Sequence, residues 1–178
     1  MQKKGYLHFW KKENQNGEIN SFMNDKEVEE ILSNSKVIAM VGVSSLKKEE
    51  NPKMIRRRPS TIVMKYMQEF GYKVIPVNPF AKGEVINGET VVEDIEDISI
   101  PVDIVDVFRP SKEISAIAEK AAKIGSKVLW LQYGIHNEEA EKISDNSNMK
   151  YVSDKCIKQE YQKLFQKSHP VFPVLRNK

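Results

Sequence analysis

Residues 42–45, Gly-Val-Ser-Ser, combine a glycine, which lets a backbone come close to a phosphate, with the hydroxyl donors of Ser44 and Ser45. Downstream, Lys47, Lys48, Lys53, Arg56, Arg57 and Arg58 stand against only Glu49 and Glu50, so this stretch attracts anions, and guanidinium forks suit phosphate oxygens. Of the three arginines, Arg58 is best placed to reach a ligand, because it adjoins Pro59-Ser60, where Ser60 reads as the N-cap of a helix. Each feature also has a plain structural reading: Gly42 suits a tight turn out of a strand, and a charged loop is ordinary solvated surface. A full dinucleotide fingerprint needs G-x-G-x-x-G and an acidic residue about 20 positions on for the ribose. This chain has one glycine there and carries Asn78 where the second strand ends, which disfavours a usual NAD site.

Groups for covalent or acid–base chemistry are sparse. His8 and His169 lie in the two tails, His136 reads as a residue at the start of a surface helix, and Cys156 has no base near it in sequence. Cys156 suits either a small buried hydrophobe or a thiol facing a site. HExxH, paired CxxC, GxSxG and a glycine-rich loop ending in Lys-Ser/Thr are all missing, so no catalytic and no metal-binding residue is assigned. One cysteine permits no internal disulfide, and with no secretory signal at the start the chain is expected in the cytoplasm. No apolar run approaches the length of a spanning helix, so no membrane association is expected. The net charge of +3 is mild and no aromatic platform adjoins the arginine run, so nucleic acid is not expected as a partner either.

The elements that must position these residues alternate in type. With 178 residues the chain suits one domain with tails: an extension over 1–24, a domain over 25–166 and a tail over 167–178. Asp25 caps a first helix with Val28, Ile31 and Leu32 on one face, and residues 36–43, KVIAMVGV, form a strand buried on both sides. A helix over 61–70 carries the stripe Ile62, Val63, Tyr66, Met67 and Phe70, closed by Gly71. Strands follow at YKVIPV, VDIVDVF, KVLWLQ and MKYVS, separated by a helix capped at Pro110-Ser111, a helix capped by Asn137, and a last helix over 157–165. Alternation at this spacing implies right-handed βαβ units, hence an α/β Rossmann-like three-layer sandwich with a five-stranded, mainly parallel sheet. In such sheets ligands sit outside the carboxyl ends of the strands. That reduces the search to residues 42–45, 78–83, 108–111, 132–134 and 153–156.

Taken together, IAMVGVSS, RPSTIVMKYMQEFGYKVIPVNP, VDIVDVFRPS, KVLWLQYGI and SDKCIKQE resemble the small stand-alone coenzyme A-binding proteins related to the nucleotide-binding domain of the succinyl-CoA synthetase alpha subunit. The resemblance runs from about residue 25 to about 165 and implies a Rossmann-like fold that binds coenzyme A at the strand ends. It places Gly42, Ser44 and Ser45 at the pyrophosphate, Asn78, Pro79 and Lys82 at the end of the second strand, Phe108 and Arg109 toward the adenosine, and Gln132 along the pantetheine path. The loop after Ser45 is longer than the family pattern, and neither the extension nor the HPVFPVLRNK tail has a counterpart in it. Such a synthetase also needs a phosphohistidine domain and a partner subunit, so the resemblance implies no ligase activity for this domain alone.

The leading expectation is therefore a protein that binds coenzyme A or an acyl-CoA without chemistry of its own, with a homodimer or a further protein as a conceivable assembly. Two enzymatic readings stand beside it. One is an NADP-dependent oxidoreductase using Arg58 or a neighbour on the ribose phosphate, and the other an acyl-CoA-processing protein employing Cys156.

Overall fold

The computed structural model describes residues 12–13, 19–20, 23–45 and 58–165. Five parallel strands form the central sheet: β1 Val37–Val41, β2 Lys73–Val77, β3 Ile104–Val107, β4 Val128–Leu131 and β5 Lys150–Val152. Their order is β2-β1-β3-β4-β5, in register from Ile38 opposite Ile104 and Val128 opposite Ile104. The chain thus starts in the interior of the sheet, steps to one edge with β2, and returns past β1 to build outward from β3. Pro76 is tolerated because β2 is an edge strand of this sheet, where a missing ladder donor costs least.

Helices cover both faces. The helices are α1 Asp25–Asn34, α2 Pro59–Glu69, α3 Ile114–Lys123, α4 Glu138–Asn146 and α5 Ile157–Phe165. Because strand side chains alternate, each strand feeds two cores. Ile38, Met40, Ile104 and Trp130 pack under α1, α2 and α5. Ala39, Val105, Leu129 and Leu131 pack under α3 and α4, whose Ala118, Ala121 and Ala140 let those helices lie close. The expected α/β Rossmann-like architecture is present, and the five-stranded sheet is parallel throughout.

Several local expectations shift. Asn24, not Asp25, caps α1: its side chain accepts from Glu27 N at 3.0 Å, and the Glu27 carboxylate accepts from Asn24 N at 2.9 Å. Arg58, not Ser60, holds the N-cap position of α2, with Pro59 as its first residue and Ser60 buried inside the first turn. The buried stripe of α2 is Ser60, Val63, Met64 and Met67, while Ile62 and Phe70 are exposed; the apolar residues on both sides of the helix left its rotation open. Ser111 starts a 3-10 turn over Ser111–Glu113 that leads into α3, so Pro110-Ser111 does not cap the α-helix directly. Residues 84–91 form a small hairpin, Val85–Ile86 with Glu89–Thr90, turned by Asn87 and Gly88, both at positive φ. Lys47, Lys48, Lys53, Arg56, Arg57, both terminal histidines and the 167–178 tail lie outside the described residues.

Trp130 is fully buried, and its indole N–H donates to the Lys155 carbonyl at 2.7 Å, tying the sheet centre to the turn before α5. Trp130→Ala is expected to cost about 3–5 kcal/mol, read as a lowered urea midpoint with unchanged slope.

Candidate functional site

The strand order reverses between β1 and β3, and the ends of those two strands are where the chain is most crowded. Gly42 follows β1 at φ +90, a region that L side chains rarely adopt. A Cβ there would lie 2.7 Å from Arg109 Cδ and 2.8 Å from the Phe108 carbonyl oxygen. Gly42 N donates to Val77 O and Phe108 N to Val41 O, both at 2.8 Å, so the ends of β1, β2 and β3 are stitched into one edge.

Most of the hydroxyl and amide groups expected at this edge are engaged with the protein itself. Ser44 N donates to Ser60 Oγ at 3.0 Å, and Ser45 Oγ donates to Glu84 Oε1 at 2.7 Å. Asn78 Nδ2 donates to Val43 O at 2.8 Å while its Oδ1 accepts from Phe80 N at 2.9 Å, capping the turn Pro79–Ala81. Asn78 therefore clips the loop after β1 to the end of β2. Lys82 points to the surface in an ion pair with Glu93 at 2.6 Å. At the start of α2, Arg58 O accepts from Thr61 Oγ1 and Ile62 N, and among the described residues no side chain caps the first turn of the helix.

Beside Gly42 opens a cavity of about 480 Å³, within the range of small-molecule sites, between the ends of β1 and β2 and the first turns of α3. Of the residues singled out in the sequence, Gly42, Asn78, Pro79 and Arg109 line it. Its charged wall was not foreseen: Glu93, Asp94, Lys112, Glu113 and Lys120 also line it. Arg109 donates from Nε and Nη2 to Glu113 Oε2 at 2.7 Å, and Lys120 pairs with Asp94. That desolvated but ion-paired and backbone-bonded Asp94 carboxyl is held below the usual carboxylate range. The acidic run 93–97 and the lysines of α3 are 23 or more residues apart in sequence, and no local pattern announces that they meet.

Phe108 and Gln132 lie on the other face of the edge. Phe108 is half-buried against the α1/α2/α5 core. Gln132 is buried and donates through Nε2 to Asp106 Oδ1 at 2.6 Å. Asp106, overlooked inside the apolar run VDIVDVF, is completely buried, and burial pushes its carboxyl up to about 7 against the opposing pull of the Gln132 and Val107 hydrogen bonds. Cys156 is half-buried before α5. Burial pushes its thiol up, the N–H groups of Gln159 and Lys158 pull it partly back, and the Asp106 charge raises it further. A thiol held in its neutral form is a poor nucleophile. His136 is exposed with Nδ1 at 3.2 Å from the Tyr151 hydroxyl.

Residues 36–162 match the model of the CoA binding domain family, and the chain belongs to that family. It is 38% identical over 132 residues to the uncharacterized protein YneT of Bacillus subtilis strain 168, spanning 74% of this chain and 90% of that one. A solved structure from Thermus thermophilus is similar at 35% identity and TM-score 0.70, covering 80% of this chain and all of its own. A hypothetical protein from Pyrococcus horikoshii OT3 aligns at 34% identity and TM-score 0.69, over 80% of this chain and 92% of its own.

Two outcomes follow from the edge alone. Gly42→Ala is expected to destabilise the fold by about 2 kcal/mol or more, since strained φ and a backbone clash add; thermal unfolding measures it. Asp106 titrates in the folded state far above its ordinary value of 3.8. Its stabilising contribution is therefore complete below about pH 4 and is lost as pH rises through about 7. Relative to Asp106→Asn, the wild-type melting temperature should fall between about pH 4 and about pH 7 and level off above; parallel curves would contradict this.

Proposed function

We propose that this chain binds coenzyme A or an acyl-CoA across the carboxyl edge of its sheet and performs no reaction of its own. The observation that carries the reading is a coincidence of place: the stretch matching the CoA binding domain family includes the strand ends that open into the cavity at Gly42. Open parallel sheets take ligands at the point where strand order reverses, and here that point lies between β1 and β3.

The chemistry of the edge supports an anionic nucleotide thiol. Among the described residues no side chain caps the first turn of α2, whose amides favour a phosphate oxygen close to Ser44 and Ser60. Arg109 lies across Gly42 and reaches the cavity, where its guanidinium can exchange Glu113 for a phosphate. Among the described residues Lys112 is a cavity cation without an ion pair, which suits a further phosphate. Gly42, Ser44, Ser45, Arg58, Pro59 and Ser60 would then surround the pyrophosphate. Asn78, Pro79, Phe108 and Arg109 would flank the nucleoside, with Lys82 at the rim and Gln132 along the arm.

The absence of catalysis is proposed on the state of the reactive groups. The Cys156 thiol is raised, and His136 is exposed beside Tyr151, away from the cavity lining.

Titration calorimetry tests the whole reading. Coenzyme A should saturate one site and, at a hundredfold excess over Kd, stabilise the fold by about 2.7 kcal/mol. Dephospho-coenzyme A should bind more weakly, and Arg109→Ala should raise the Kd for coenzyme A about tenfold or more. Saturation by NADP(H) with no heat from coenzyme A or its thioesters would overturn the proposal.

A further inference from the structure

Asp106 and Gln132 form a buried polar pair that neither packing nor phosphate binding explains. Asp106 occupies the middle of β3 with Met40 and Trp130 as its register partners, neither of them titratable. It lies on the α1/α2/α5 side of the sheet, because its neighbours Val105 and Val107 both face α3 and α4. The buried residues of α1 (Val28, Ile31 and Leu32) and of α2 (Ser60, Val63, Met64 and Met67) bring no charge to it. From the α5 side come the Cys156 thiol, which feels the Asp106 charge, Lys158, whose charge also reaches that thiol, and the buried Glu160 one turn on. Asp106 Oδ1 accepts from Gln132 Nε2 at 2.6 Å, and Oδ2 has no partner among the described residues.

The hydrogen-bond chemistry of this pair is restrictive. A carboxylate only accepts, so an ionised Asp106 obliges Gln132 to turn its NH2 group inward. The Gln132 carbonyl oxygen is then the outer end of the amide, at the close of β4, and no described residue donates to it. A protonated Asp106 can instead donate to that carbonyl oxygen, which sends the NH2 group outward. Burial places the Asp106 carboxyl at about 7, so both forms are populated near neutrality.

We propose that Asp106 is a positioning residue for ligand recognition: its hydrogen bond with the Gln132 side chain sets which end of that amide is offered at the sheet edge, and its proton reverses that end. The inference rests on the reading of this edge as the coenzyme A site. The pantetheine arm carries two secondary amides, whose N–H groups need acceptors. The outward carbonyl of Gln132 supplies one when Asp106 is ionised, and the reversed amide withholds it. The grip on the arm, unlike the grip on the phosphates, thereby follows the protonation of a residue that the ligand does not touch.

The test is the pH dependence of coenzyme A binding by calorimetry, in the wild type, Asp106→Asn and Gln132→Met, with folding of each protein checked by thermal melting. Titration of the ligand phosphates is common to all three, so the informative quantity is the difference between profiles. The wild type should lose about fivefold more affinity than either variant on going from about pH 8 to about pH 6, the worth of one hydrogen bond. In the free protein the Gln132 side-chain NH2 resonances should step near pH 7 in the wild type and stay flat in Asp106→Asn. Parallel binding profiles in the three proteins, with coenzyme A still bound, would overturn the role of Asp106 and leave the coenzyme A reading standing. A wild type that binds no coenzyme A at any pH would overturn both.

Discussion

The close approach of β1 to β3 at Gly42 is the constraint from which the functional edge follows. A parallel pair needs a crossover connection, so two strands paired side by side here are separated in sequence by β2 and its surroundings. Where they end, Gly42 admits the Phe108 carbonyl and the Arg109 side chain into the volume that any Cβ would fill. That packing lays Arg109 across the strand end and opens the cavity beside it. A larger residue would push the two strand ends apart and carry the arginine away with them.

Around this contact the polar groups divide into two kinds. Asn78, Ser60 and Ser45 spend their hydrogen bonds on the chain itself, holding loops in place. Arg109 is paired through an exchangeable surface contact and Lys112 has no ion pair among the described residues, which leaves the cationic groups available to an anion. The division makes sense energetically: neutral groups shape the edge where water is scarce, and charges that would cost much to bury stay at its rim. Asp106 is the exception, a carboxyl sunk in the sheet, and its raised titration is the direct consequence of that position.

Much of the fold was legible because its signals are local. Apolar runs such as 37–41 and 104–107, the glycine after α2 and the asparagine before α4 each declare an element within a few residues. The helix face of α2 was not legible, since Ile62, Val63, Met64, Tyr66, Met67 and Phe70 surround the helix and only packing against β2 and α5 selects Val63, Met64 and Met67. The strand-end rule pointed to Gly42, Asn78, Pro79 and Arg109, all of which line the cavity, but not to Asp94, Lys112 and Lys120 on its far wall.

The amino-acid sequence by itself determined the alternation of strands and helices, the parallel sheet that alternation entails, and the short list of strand ends where a ligand can lie, because hydrophobic period and turn chemistry act over a handful of neighbouring residues. Only the tertiary structure decided which side chains meet across that edge: that Asn78 serves the loop after β1, that Asp94 holds Lys120, and that Asp106 is buried with Gln132. Hydrogen bonds and ion pairs reach about 3 Å in space and are indifferent to separation along the chain, so their partners are settled by how the layers pack.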